Sequence, residues 1–137
     1  MTRILGIDYG ERRIGLAISD PTHVIAQPLT TLILDDSEAF WDKLAEVITE
    51  QEVEAIVVGY PKTLQGTSSR QTEVVDRFII QLQERYLFPV KRFDERLTSV
   101  AARKALIQQG VKTGHQKAAV DRTAAALLLQ DYLDSQQ

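Results

Sequence analysis

"ILGIDYGERRIGLAISD", residues 4–20, is the stretch whose reading decides the fold. Two apolar, β-like runs, Ile4–Ile7 and Ile14–Ile18, are joined by a short polar turn. They predict strands over about Arg3–Tyr9 and Arg13–Ser19, with Gly10 in the connection. A carboxylate, Asp8, stands where the first strand ends, and two arginines, Arg12 and Arg13, follow it. An acid at the end of a buried strand either hydrogen-bonds the following turn or is placed there for chemistry.

Working outward, residues 24–34 form a third β-like run with Pro28 inside it, which reads as an edge strand. Three strands with short connections make an antiparallel meander. The period then changes. Trp41, Leu44, Ala45 and Ile48 recur at helical spacing, and "AIVVG" (55–59) is a short apolar strand of the kind covered on both faces. Val75, Phe78, Ile79, Leu82 and Tyr86 mark a second helix, and Val90–Asp94 another strand. A third helix, capped by Thr98 or Ser99, ends at Gly110, and a last one spans about Gln116–Asp134. The order βββ-α-β-α-β-α-α predicts one α/β domain over residues 1–137: a mixed five-stranded sheet with helices on both faces.

The totals narrow the function. The chain has 137 residues, 44% hydrophobic and 26% charged, and no cysteine. Disulfides, thiolate catalysis and Cys-based metal sites are thereby excluded. No apolar run approaches the roughly 20 residues that span a bilayer, so a soluble, cytoplasmic protein with no membrane partner is expected. The net charge of −3 argues mildly against nucleic acid, but the charge is unevenly spread. Residues 35–54 carry eight acids against one lysine, and residues 91–122 carry eight bases against three acids. That asymmetry lets an acidic protein present a basic face to phosphates, although charge runs are ordinarily solvated surface.

Three acids are candidates to share a site. Asp8 ends the first strand, and Asp94 and Glu95 end the strand that begins at Val90. Sites in α/β sheets form at the carboxyl ends of strands, so parallel neighbours would bring these acids together. On the last helix Ala124, Ala125, Leu128, Leu129 and Tyr132 form an apolar stripe, and Asp121 lies in phase with it. Converging carboxylates repel, and a hard divalent cation such as Mg²⁺ or Mn²⁺ is their natural partner. Each acid also has an ordinary use: a turn hydrogen bond for Asp8, a helix cap for Asp94 or Glu95, and the helix dipole for Asp121.

"GIDYGERRIGLAISD", "VVGYPKTLQGTSS", "FDERLTSVAARKAL" and "DRTAAALLLQDYL" together resemble the YqgF (RuvX) family, nearly end to end from Arg3 to Leu133. These bacterial nucleases have a ribonuclease H-like fold and are described both as Holliday junction resolvases and as pre-16S rRNA nucleases. The resemblance implies that Asp8, Glu95 and Asp121 are the metal-binding catalytic acids, choosing Glu95 over Asp94. It implies metal-dependent phosphodiester cleavage, with processing of pre-16S rRNA as the expected role and junction resolution as the alternative. The latter needs two symmetric active sites, hence a homodimer. Thr67, Ser68 and Arg70 in the polar loop 61–70, with Arg12, Arg13, Arg96 and Arg122, are candidates to contact nucleic acid. Two rivals come from other classes. Sugar kinases and actin-like ATPases open with a similar Asp-x-Gly turn, but they bind nucleotide between two such domains. A non-catalytic nucleic-acid-binding module is the other. His23 and His115 lack metal-ligand spacing, and Trp41 reads as core.

Overall fold

The computed structural model describes residues 2–10, 12–35, 38–60, 70–94 and 114–137, and of residues 70, 71 and 114–117 the backbone alone. Three strands come first: β1 (Arg3–Tyr9), β2 (Arg13–Ser19) and β3 (Ala26–Ile33). They are followed by α1 (Ala39–Glu50), β4 (Val53–Tyr60), α2 (Arg70–Arg85), β5 (Val90–Asp94) and α3 (Gly114–Ser135). The expected helix between Thr98 and Gly110 lies outside the described residues. The sheet order is β3-β2-β1-β4-β5, with β1–β2 and β2–β3 antiparallel and β4 and β5 joining β1 in parallel. This is the mixed five-stranded, ribonuclease H-like arrangement the sequence predicts. Among the described residues no helix is long and apolar enough to cross a membrane.

Alternation along the strands builds two unlike faces. Leu5 and Ile7 of β1, Ile14, Leu16 and Ile18 of β2, and Ile56 and Val58 of β4 form the main core. There they meet Phe40, Leu44 and Ile48 of α1 and Val75, Phe78, Ile79 and Leu82 of α2. The stripe of α1 is turned slightly from the predicted one: Phe40 is buried and Ala45 is exposed. Trp41 is half-buried, stacked on Phe78 at 5.8 Å with the Arg85 guanidinium 4.1 Å over its ring, which is a packing role.

The other face is lined by small residues. Ile4, Ala17 and Val57 pack against Ala125, Ala126, Leu129, Tyr132 and Leu133 of α3. A Cβ added to Gly15 would stand 2.0 Å from the carbonyl oxygen of Asp121, and one added to Gly6 would stand 2.8 Å from Leu129 Cβ. The helix backbone therefore rests on the sheet backbone at Gly15, where no side chain fits. α3 runs from the carboxyl end of β1 toward its amino end. Thr31 donates its hydroxyl to the Ala118 carbonyl near one end, and Gln130 accepts from the Ala26 amide near the other.

β3 is an edge strand, as Pro28 requires, and pairing shifts register between Leu16 and Ala17 opposite it. The β2–β3 turn is organised by Asp20, whose carboxylate accepts from the amides of Thr22, Val24 and Ile25 and from the Thr22 hydroxyl. These bonds hold its pKa well below the ordinary carboxylate value, the Ile25 amide contributing most. His23 adopts φ 60° in this turn, its ring 3.0 Å from Glu54 Oε1, a structural use of that histidine.

Two outcomes follow. Gly15→Ala, which drives a methyl into a backbone carbonyl, is expected to cost about 3 kcal/mol or more, and Gly6→Ala, which meets a side chain able to shift, about 1–3 kcal/mol. Urea denaturation of the two variants gives the ranking. Because the folded-state pKa of Asp20 is depressed, its contribution is fully present above the ordinary carboxylate value and is lost as pH falls through the lowered folded value. Asp20→Asn should flatten the fall in thermal stability below about pH 4.

Candidate active site

Asp8 is the penultimate residue of β1, and in register it faces Gly15 of β2. The alternation that sends Leu5 and Ile7 to the main core sends Gly6 and Asp8 to the α3 face. Gly15 is also where α3 touches the sheet, at Asp121. One glycine thus bridges the two acids: Asp8 is its partner across the hairpin, and the Asp121 carbonyl lies on it. Both acids are buried, Asp8 at 5% exposure and Asp121 at 8%.

The Asp121 carboxylate is held by Arg13, whose Nε donates to Oδ2 at 2.7 Å. Arg13 shares the α3 face of β2 with Gly15 and Ala17, two residues apart along the strand. Its backbone is fixed as well, since the Gly10 amide donates to the Arg13 carbonyl and closes the hairpin. A buried carboxylate is costly unless cations or donors balance it, and the Arg13 guanidinium is such a cation on Asp121. All-oxygen donors of this kind suit a hard divalent ion, so the residues fit the metal that the sequence implies. The described residues alone hold no group of three or more metal-ligating side chains.

β5 runs parallel to β1 with β4 between them, so the strands that end in Asp8 and Asp94 are not direct neighbours. Alternation along β5 also decides the side of Asp94. Phe93 packs edge-on against Tyr132 of α3, and Lys91 reaches the Tyr132 hydroxyl at 3.1 Å. Arg92 turns the other way, to Asp76 of α2 at 3.0 Å, and Asp94 shares its face. Asp94 therefore points away from Asp8 and Asp121. Glu95, the next residue, lies outside the described residues, as do Arg96, Thr67 and Ser68. Arg70 begins α2, its side chain not described. Arg12 is exposed at the hairpin end and Arg122 is half-buried beside Asp121.

On the opposite face, Tyr60 at the end of β4 donates to Asp76 Oδ2 at 3.0 Å, while Arg92 holds Oδ1. Burial and then the Asp76 charge raise the Tyr60 pKa, so the phenol stays protonated and donating at neutral pH. Tyr9, next to Asp8, points into the main core, 4.7 Å from the Phe78 ring, and burial raises its pKa also. Lys91 and Arg92, two bases of the positive stretch, are thus each engaged within the fold.

A family model described as "RuvX: Holliday junction resolvase" matches residues 2–135. The chain belongs to the RuvX family. It is 46% identical over 133 residues to a protein of Desulforamulus reducens, covering 97% of each chain. It is likewise 46% identical to one of Chloroflexus aurantiacus (98% of this chain, 88% of that one). Against one of Thermoanaerobacter pseudethanolicus it is 41% identical, with 98% of each covered. All three carry the name "Putative pre-16S rRNA nuclease". In fold, the RuvX chain is similar to Thermus thermophilus RuvC in complex with a Holliday junction (TM-score 0.57, 15% identity, 99% and 96% covered). It is similar too to the Fowlpox virus resolvase bound to Holliday junction DNA (TM-score 0.56, 15% identity, 98% of each covered).

Sequence reasoning missed Gly15 and the Arg13–Asp121 pair. The pair joins positions 108 residues apart, and no local pattern reports such a contact. Gly15 had a signal, a glycine in the middle of an apolar strand, which marks a close backbone approach.

Proposed function

We propose that this RuvX chain is a single-domain, divalent-metal-dependent endonuclease of the cytoplasm that hydrolyses phosphodiester bonds in structured RNA, at the 5′ end of pre-16S rRNA. The observation that carries the reading is the pair of buried carboxylates, Asp8 from a strand end and Asp121 from a helix, set at one end of the sheet by the contact at Gly15. Asp8 and Asp121 hold Mg²⁺ or Mn²⁺, and Glu95, which follows β5 directly, completes the set. When bound, the ion supplies Lewis acidity at the phosphate and a more acidic attacking water. The protein's own share is to hold the ligand side chains in place and to bring cations to the phosphodiester backbone. Arg12, Arg96, Arg122 and the loop residues Thr67, Ser68 and Arg70 are assigned to that backbone contact.

The substrate assignment leans on the relatives at 41–46% identity, which are named for pre-16S rRNA. The resolvases that share the fold are 15% identical and speak to architecture. Four-way DNA junctions are the second reading, favoured by the description of the matching family. A homodimer would accompany it, because two strands must be cut symmetrically.

The deciding experiment offers precursor 16S rRNA ends and four-way DNA junctions to the wild-type protein with Mg²⁺ or Mn²⁺. Cleavage of the precursor is expected, with Asp8→Asn and Asp121→Asn each slowing it at least about 100-fold. Undiminished cleavage by Asp8→Asn would remove the site assignment. Preferential cutting of the junction would replace the substrate.

A further inference from the structure

Arg13 stands at an unusual point. It lies on the α3 face of β2, two residues from the glycine on which the Asp121 backbone rests, and its Nε–Oδ2 bond is 2.7 Å long. The two side chains differ in exposure, 29% for Arg13 and 12% for Asp121. The arginine thus reaches from the solvent rim of the hairpin inward to a carboxylate already out of water. Its neighbour Arg12 is exposed at the same hairpin end.

We propose that Arg13 has two partners in turn: the Asp121 carboxylate while the acid pair holds no ion, and a backbone phosphate of the nucleic acid once it does. This rests on the reading of Asp8 and Asp121 as metal ligands. The reasoning is electrostatic. The buried Asp121 carboxylate needs positive charge or donors nearby, and the Arg13 guanidinium supplies one unit of charge. A divalent ion on the same carboxylate supplies two and repels the arginine at short range, so guanidinium and ion compete for Asp121. The partly exposed side chain of Arg13 has somewhere to go, the solvent rim beside the exposed Arg12, which a nucleic-acid backbone can reach. Guanidinium is well suited to that second partner, since it pairs with phosphate as readily as with carboxylate. Arg13 thereby holds the Asp121 side chain in place beforehand and becomes a substrate contact afterwards.

Competition gives the test its sign. Mn²⁺ binding is measured by calorimetry on the full chain for wild type, Arg13→Met, Arg13→Gln and Asp8→Asn, each first checked for folding by thermal unfolding in EDTA. Removing the competitor is expected to tighten Mn²⁺ binding on the order of tenfold in whichever Arg13 variant folds. Both variants should melt lower than wild type in EDTA, and the deficit should shrink with Mn²⁺. A second measurement follows single-stranded RNA affinity against salt, with Ca²⁺ and with EDTA. Arg13→Gln should lower the slope of log affinity against log salt by about 0.7 with Ca²⁺ and leave it unchanged in EDTA. Unchanged or weaker Mn²⁺ binding overturns the proposal, and so does a slope lowered equally in both conditions. If wild type itself binds no Mn²⁺, the metal-site reading fails, and this falls with it. If wild type binds, Asp8→Asn does not, and the Arg13 variants match wild type, then the role of Arg13 alone is refuted.

Discussion

The backbone of α3 rests on the backbone of the β1–β2 hairpin, and the rest of the site depends on that closeness. At Gly15 there is no room for a single carbon between helix and strand, and at Gly6 there is almost none. Close packing of this kind is intolerant of added volume, because the interior has few voids to absorb it. What the arrangement secures is position. The Asp121 backbone can lie on the strand next to Asp8 only because nothing larger than hydrogen separates helix from strand at Gly15. The helix contributes alanines to this face, Ala125 and Ala126, where a helix packed for apolar area would carry larger side chains.

The two faces of the sheet therefore do different work. The face toward α1 and α2 holds the large side chains, among them Leu5, Ile7, Leu16, Ile56, Phe40, Leu44 and Leu82, and provides most of the buried apolar surface. The α3 face gives up some of that surface for small residues and polar side chains. Single strands divide the labour residue by residue. In β1, Leu5 and Ile7 serve the core while Gly6 and Asp8 serve the site; in β2, Ile14, Leu16 and Ile18 face Arg13, Gly15 and Ala17 across the strand's own thickness. A period of two lets one strand satisfy both demands without compromise. Buried polar groups on the α3 face are also met by partners: the Ser19 hydroxyl accepts from the Ile4 amide at 2.8 Å.

Much of this was legible from the chain, and the parts that were not share a cause. Strand limits for β1, β2 and β5 follow from apolar runs and turn residues, which are local signals. Pro28 placed β3 at an edge because a residue without an amide hydrogen is poorly tolerated inside a ladder. The inward phase of Asp121 came from helical spacing alone, and its burial agrees. Strand order was harder. The insertion of β4 between β1 and β5 is a matter of long-range pairing, which no local run of residues reports. The side of Asp94 became clear only through Phe93 and Arg92, whose partners lie on different helices. The stripe of α1 was read one position away from Phe40 for a similar reason: several phases of an amphipathic helix look alike until its neighbours are known.

α3 carries the core in its second half and a candidate ligand in its first, on one rigid rod. Leu129, over Gly6, lies two turns along from Asp121, over Gly15. Each residue of a helix advances about 1.5 Å and turns about 100°. A slip of one residue at the Leu129 end would thus swing the Asp121 carboxylate away from Arg13 altogether. The apolar half of the helix acts as the calibration of the polar half. Packing around Leu129 and Tyr132 sets where along the sheet the first half of the helix comes to rest.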